Sequence, residues 1–564
     1  MKNNWLFFII ILICNINSPV FAVNLFQTYQ IPPLQRANKE DPIVIKILSQ
    51  ARAMKRAENV SIGFSQIEDP QLYTQSLRAD IQKNLPIFKD HEIRVFSGLT
   101  TSELQIFLQK TNKPQQVILQ SFEIKVDQTI QMPSNTFIQG KNTLFIAQPD
   151  FKNPVFNFSN IQQAGLSNIE IDAEQSIHLN NAQHIVLKNI EFKGGRGIAI
   201  FNQSRYVELA NLQMKQARFG ALMLQGDVSH IWVHHSQFLE SQRADNGGAA
   251  ILLTDALNKS NIEEHSAHNV LTETIFPIAP APHAILIEQN ELSNNRAQGL
   301  YLDGAYGVVV QHNLIENNDK EGMCLDFGSV NNIVMENTVL RNGNRARQTD
   351  QDLELDLVLG FGRMADGSAI SKLPGIALDN AAQNIMISNV IRENAGDGIK
   401  IVRSGFRNLM LFNSITNNNQ GSNNKFQFFG ILLGSAGLEQ ELSHEDINKH
   451  PLDFLPPLEN IIAGNVVYGN HRAGVLLDKD AIFNDIYDNQ VRHFRVAALE
   501  SALPLFNSII GNSWQPVEIS PTQTLLQSYL IRLWSIKGLI LLSIFIGFGI
   551  ILFISWRKIK KVKS

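Results

Sequence analysis

One stretch constrains the chain more than any other: Gly299 to Asn342 reads as two copies of a single unit. Gly299-Leu-Tyr-Leu-Asp303 recurs as Gly322-Met-Cys-Leu-Asp326, and Asn313-Leu-Ile-Glu-Asn317 recurs as Asn337-Thr-Val-Leu-Arg-Asn342. The runs are short and alternate with period two, the spacing of a strand with one face inward. A repeat of about two dozen residues built from such runs predicts a solenoid, in which each unit buries its apolar face only by stacking on the next.

The unit extends over much of the chain. Its asparagine recurs at Asn168, Asn189, Asn211, Asn290, Asn313, Asn337, Asn389, Asn413, Asn465, Asn489 and Asn512, at gaps of 21 to 24 residues where nothing is inserted. The glycine-led run recurs at Gly375, Gly398, Gly430 and Gly474. Positions two and four of each run, such as Leu300 and Leu302 or Met323 and Leu325, carry the apolar side chains and are expected to face the core. Gly, Asn and Asp between runs supply left-handed turn residues. An asparagine at one turn can stack on itself rung after rung and satisfy buried backbone groups. The fold class this predicts is all-β: a right-handed parallel β-helix with a small α-rich N-terminal region and one C-terminal transmembrane helix. In outline it resembles the pectate-lyase-like superfamily, over roughly residues 101–515.

A chain of 564 residues is long for one compact core but suits a solenoid, which grows without thickening. The net charge of −4 gives no reason to expect a nucleic-acid partner. Of the two cysteines, Cys14 falls in the leader, so Cys324 stands alone and no disulfide framework is possible in one mature chain.

Residues 1–22 combine Lys2, an apolar run from Trp5 and Val20-Phe21-Ala22, the pattern of a cleaved signal peptide. Residues 23–100 lack the repeat. Pro42–Arg56 and Gln71–Lys83 are predicted to be helical, with Asp41 and Asp69 as N-caps. Thr101–Lys110 opens on a capping-box pattern, and the helix it predicts would cover the open end of the first coil. The β-helix is expected over 101–515, with insertions near 241–282, 343–373 and 420–458. A linker is expected over 516–533, a membrane span over 534–556 and a basic cytoplasmic tail over 557–564. Within the span, Gly538–Trp556 holds 19 residues without a charge; at 1.5 Å per residue this is about 28 Å, close to the hydrocarbon thickness of a bilayer. The lysines that follow place the tail inside and the β-helix outside, periplasmic or on the cell surface.

The outward positions of the glycine-led strands carry the candidate chemistry. They pair Tyr301 with Asp303, Cys324 with Asp326, Ala377 with Asp379 and Lys400 with Val402, and Arg403 follows. Neighbouring parallel strands lie about 4.8 Å apart, so Asp303 and Asp326 should be adjacent, with Asp379 and Lys400 on the next coils. Two carboxylates this close either raise one pKa or bind a cation between them, calcium for example. Breaking a uronate polymer by β-elimination needs a cation or Arg on the sugar carboxylate and a base for the C5 proton, and C5-epimerisation shares that first step. The candidate catalytic set is therefore Asp303, Asp326, Asp379, Lys400 and Arg403, with Asp303 and Asp326 as metal ligands. Tyr301 is a candidate platform for a sugar ring, and Arg363 reaches the site if the insertion Arg345–Lys372 folds over it as a lid. An Asp after a strand is equally a turn residue.

A second signal is His230-Ile-Trp-Val-His-His235. It resembles the Val-Trp-Ile-Asp-His stretch of pectate lyases, matched by Ile231, Trp232, Val233, His234 and His235, with His234 where that family has Asp. His234 and His235 join the candidate substrate-binding residues. The paired Asp and Gly-His-Gly of polygalacturonases and the Asp-Pro-His-Asp of alginate epimerases are absent. Two functions remain open: an exported, membrane-anchored protein acting on an acidic polysaccharide, as lyase, C5-epimerase or hydrolase, or a non-catalytic scaffold binding envelope glycan or protein.

Overall fold

The computed structural model describes residues 69–516, apart from 245, 255–280, 327, 345–371, 380, 403–404, 420–427, 435–456, 458, 470–471, 479–480, 482, 495–496 and 502–506. The strands coil into two parallel sheets, one of 13 strands with a single strand per turn and one of 26 strands that mostly takes two. All named strand pairs are parallel and join one coil to the next, as Leu300↔Met323 and Met323↔Ile376 do. The solenoid is therefore that of a parallel β-helix, as the repeat predicts.

The core is one continuous column. Leu300 and Leu302, Met323 and Leu325, and Ile376 and Leu378 all lie in it fully buried, so the period-two alternation assigns the inward face correctly. The leading glycines are needed for close approach and not for a left-handed turn. A Cβ on Gly299 would meet Ile315 Cγ2 at 2.6 Å and the Gly322 carbonyl oxygen of the next coil at 2.8 Å. Glycine is required there because two coils and an asparagine crowd its Cα.

Gly304, Asn317 and Asp488 are among the left-handed Gly, Asn and Asp that the sequence predicts between runs. Other left-handed positions are taken by His312, Glu336, Ser388 and Phe412, at φ of 54–55°. Each precedes an interior asparagine. Asn313 shows what that asparagine does. Its Oδ1-bearing neighbour Asn337 accepts from the Asn313 backbone N–H at 3.0 Å, and Asn313 Nδ2 donates to the Ile287 carbonyl at 2.9 Å. The side chain thus replaces strand hydrogen bonds that the turn cannot make. The sequence suggests one such ladder; among the described residues the interior holds three. Asn290 through Asn512 form the first. Asn295, Asn318, Asn342, Asn394 and Asn418 form a second, and Asn332 through Asn507 a third. Asn168, Asn189 and Asn211 do not continue the first ladder. They are themselves the left-handed residues, one position earlier, and stack on the exposed surface.

Two helices pack against the solenoid, one at its first coil and one on coils further along. Helix α1 (Pro70–Asn84) is capped by Asp69, whose carboxylate accepts from the backbone of Gln71 and Leu72, as expected. Helix α2 (Thr101–Leu108) is capped by Thr100 rather than Thr101 or Ser102, in a full capping box with Glu103. The hydroxyl of Thr101 bonds Asp127 instead, at 2.7 Å. Leu104 and Leu108 enter the main core, so α2 covers the end of the column. The sheet itself begins at Glu92, earlier than the expected boundary, where Glu92–Phe96 pairs with Gln115–Leu119. Helix α1 lies on the outer face of the 26-stranded sheet, where Leu77 and Ile81 pack on Trp232, Leu286 and Val309.

Pro42–Arg56, the leader and the span 534–556 lie outside the described residues, as do most of the insertions. Among the described residues no helix is long and apolar enough to cross a membrane. The base of the second insertion is closed by an antiparallel bridge between Asn344 and Lys372.

Candidate functional site

The 13-stranded sheet brings the predicted carboxylates together. Asp303 stands opposite Asp326 in direct register, with Thr254 opposite Asp303 on the other side. Asp379 ends the following strand and pairs with Val402, while Ala377 pairs with Lys400. The order Asp303, Asp326, Asp379, then Lys400 along the axis is that expected from the repeat. Arg403 and Arg363 lie outside the described residues.

The burial of this face differs from expectation. Asp303 is 4% exposed, Asp326 1% and Tyr301 3%. Tyr301 packs with Ala249, Cys324 and Ala377 in a small apolar cluster separate from the main core, so its ring is not an open platform for a sugar. Its hydroxyl donates to Asp326 Oδ2 at 3.0 Å, and the Thr254 hydroxyl donates to Asp303 Oδ2 at 3.1 Å. Burial, reinforced by the charges of Asp326 and Asp303, pushes the Tyr301 phenol well above its usual pKa. Burial, reinforced by the charges of Asp326, Glu321, Asp379 and Asp303, pushes the Cys324 thiol well above its usual pKa. Tyr301 is thus a hydrogen-bond donor here, and Cys324 is no nucleophile.

One member of this face is silent in the sequence reading. Asp397 is buried just before the Gly398-led strand and accepts from the Phe429 backbone N–H at 2.6 Å. Burial raises its pKa to about 6, against the opposing charge of Lys400 and that hydrogen bond. Only its place one residue before a repeated glycine could have marked it. Lys400, which tempers it, is half-buried.

A fit to calcium rests on oxygen donors, which suit a hard cation. The carboxylates of Asp303 and Asp326 and the hydroxyls of Thr254 and Tyr301 are such donors. Among the described residues no group of three or more His, Cys, Asp or Glu side chains is set to hold a metal.

The histidine signal lies on the other sheet. Trp232 is buried under α1, and its Nε1 donates to Glu288 Oε1 at 2.8 Å. Arg78 of α1 meets the same carboxylate through both Nε at 3.1 Å and Nη2 at 2.5 Å, and Gln311 adds a further bond. Burial works to raise the Glu288 pKa; the bonds from Arg78 and Gln311 outweigh it and hold the carboxyl below its usual range. His234 stacks on Trp232 with ring centroids 3.9 Å apart. Its Nε2 meets Glu208 Oε1 at 3.2 Å and its Nδ1 meets His235 Nδ1 at 2.8 Å. Lys188 holds the other Glu208 oxygen at 2.8 Å. Burial again works to raise the Glu208 pKa, and the bonds from His234 and Lys188 bring it below the usual range. Trp232 in this stretch is therefore structural, while His235 is exposed. Arg78, Glu208 and Glu288 carry no repeat signature of their own, which is why the sequence alone did not mark them.

A family model described as a right-handed beta helix region matches residues 175–339 and again 278–439. The sequence matches no curated protein. Among solved structures, the chain is similar to the Azotobacter vinelandii mannuronan C-5 epimerase AlgE6 A-module, at 11% identity and a TM-score of 0.39, covering 77% of this chain and 99% of that one. It is similar to the periplasmic alginate epimerase AlgG at 12% identity and 0.38, covering 75% and 85%. It is also similar to the PL6 family alginate lyase AlyGC at 11% and 0.47, covering 72% and 53%. Likeness at these identities is one of fold.

Proposed function

We propose that this right-handed parallel β-helix protein binds and acts on an acidic polysaccharide at the face carrying Asp303, Asp326, Asp379 and Lys400. The observation that carries the proposal is the direct register of Asp303 and Asp326, both nearly fully buried. Like charges opposite one another destabilise a sheet, and buried carboxylates cost more. A solenoid that needs only apolar and asparagine rungs has no structural use for them, and such departures from local consistency gather at functional sites.

In this reading the polymer is a uronate, and the reaction begins with removal of its C5 proton. Lys400 is the base or the cation on the sugar carboxylate. Tyr301 holds its proton and fixes Asp326. Calcium is assigned to the Asp303–Asp326 pair; it takes six to eight oxygens, more than two carboxylates and two hydroxyls supply, so water or the uronate would complete the set. Whether the product is cleaved or epimerised depends on where the proton returns. Export through residues 1–22 and anchoring through 534–556 complete the proposal, with the β-helix on the extracytoplasmic side.

The burial of Tyr301, Asp303 and Asp326 favours a second reading, a scaffold that binds glycan or protein without turnover. The test is to incubate the detergent-solubilised full chain with polymannuronate, polyguluronate and polygalacturonate, with and without calcium. Ultraviolet absorbance reports the unsaturated product, and proton NMR reports C5 configuration. Product of either kind supports the enzyme. Retention of a polymer without product supports the scaffold, and absence of both product and retention refutes action on these uronates by elimination or epimerisation.

A further inference from the structure

On the 26-stranded sheet, where the coil bends between its two strands, a cleft of about 660 Å³ opens. Its polar lining is mainly Gln213, Gln237, Gln289, His235, His312 and Glu291. No Lys or Arg is among its described lining residues. The glutamines rise from neighbouring rungs, with Gln213 opposite Gln237 and Gln237 opposite Glu291. Gln237 Nε2 donates to Glu291 Oε2 at 3.0 Å, and His312 is paired with Glu336 at 3.1 Å. Amides that both donate and accept, spaced by the rung repeat, match the hydroxyls of a sugar chain. A lining with a carboxylate and no permanent cation disfavours a polyuronate.

The hydrogen-bond partners of His235 outside the cleft fix its tautomer. A carboxylate only accepts, so His234 Nε2, facing Glu208, carries a proton. In the neutral ring His234 Nδ1 is then a lone pair, and it accepts from Nδ1–H of His235. That leaves Nε2 of His235, the exposed member, as an acceptor for a ligand. Lys188 occupies the other Glu208 oxygen and leaves Oε1 for the histidine. The order of carboxylate, oriented imidazole and exposed imidazole is that of a hydrogen-bonding relay.

We infer that this cleft is a second carbohydrate site, which takes an uncharged oligosaccharide and holds one of its hydroxyls on Nε2 of His235 through the Glu208–His234–His235 relay. It stands whether or not the Asp303 face acts on an acidic polymer.

The test titrates the detergent-solubilised full chain by calorimetry with pentamers of β-1,4-glucan, β-1,3-glucan and N-acetylglucosamine, and with a uronate pentamer. Binding of a neutral pentamer is expected, weakened at least tenfold by Gln213→Ala, an exposed position, and by His235→Asn. Asparagine tolerates the left-handed backbone of His235, φ 52°, so that variant should fold. Nitrogen-15 NMR of the labelled imidazoles should show His235 Nε2 without a proton, and its resonance should move on binding. The inference is overturned if no neutral pentamer binds at millimolar concentration. It is equally overturned if the uronate pentamer alone binds, if both variants bind as wild type, or if the His235 Nε2 resonance is unmoved.

Discussion

The hydroxyl of Tyr301 donates to Asp326 on the next coil at 3.0 Å, and Asp326 in turn faces Asp303 in direct register. One buried phenol therefore secures one of two carboxylates that a sheet would otherwise keep apart. From this follows a stability–function conflict. Asp326→Asn removes a like charge while keeping an acceptor for the phenol. It should raise stability by about 0.5–1 kcal/mol, read as a higher unfolding midpoint in denaturant. An unchanged or lower midpoint would mean that the pair is not in conflict.

Asp397 gives the pH dependence. Its pKa is raised to about 6 by burial, above the unfolded value, so the folded state holds the proton more tightly. Folding stability from this group is present at low pH and is lost as pH rises from about 4 towards 6, by at most roughly 3 kcal/mol. Asp397→Asn keeps an acceptor for the Phe429 N–H and cannot ionise. Its melting temperature relative to wild type should climb as pH goes from 4 to 7. A pH-independent difference would place the Asp397 carboxyl in the ordinary range.

The asparagine ladders set the cost of disturbing a rung. Asn337 receives the Asn313 backbone N–H and donates to the Val310 carbonyl at 2.9 Å. Asn337→Ala leaves at least two buried backbone groups without those partners, each worth roughly 1–3 kcal/mol. A loss of about 2–5 kcal/mol is expected in chemical denaturation, and the same change at the exposed Asn189, at φ 53°, should cost about 1–2 kcal/mol from the left-handed backbone alone.

The contact of α1 with the solenoid turns on Arg78 and Glu288. Glu288 is 6% exposed at its side chain and Arg78 29%. Arg78→Ala should cost about 1–3 kcal/mol, discounted for the arginine's partial exposure. Hydrogen exchange should accelerate over residues 70–84 and leave the 13-stranded sheet unchanged. Protection of α1 at wild-type levels would show that Leu77 and Ile81 hold it unaided.

What the sequence revealed was whatever repeats. The inward Leu300, Met323 and Ile376, the axial order of Asp303, Asp326 and Asp379, and the Asp69 cap each follow a local rule of spacing or capping. What it concealed was set by neighbours distant in the chain. The two further asparagine ladders were hidden because Asn295 and Asn332 lie in different turns of the same repeat. Asn211 seemed to continue into Asn290, but a shift of one residue moves a side chain from the surface to the interior. Tyr301 alternates outward as expected and is nonetheless buried. Arg78 and Glu288 are 210 residues apart, and no periodicity links them.

The central claim is that the Asp303–Asp326 face touches a uronate polymer during its reaction. The most direct measurement is turnover of the preferred uronate polymer by wild type and by Asp326→Asn at matched, verified folding. The account predicts that Asp326→Asn loses at least a hundredfold in rate while folding as stably as wild type or more so. Turnover at the wild-type rate by a folded Asp326→Asn chain would contradict it.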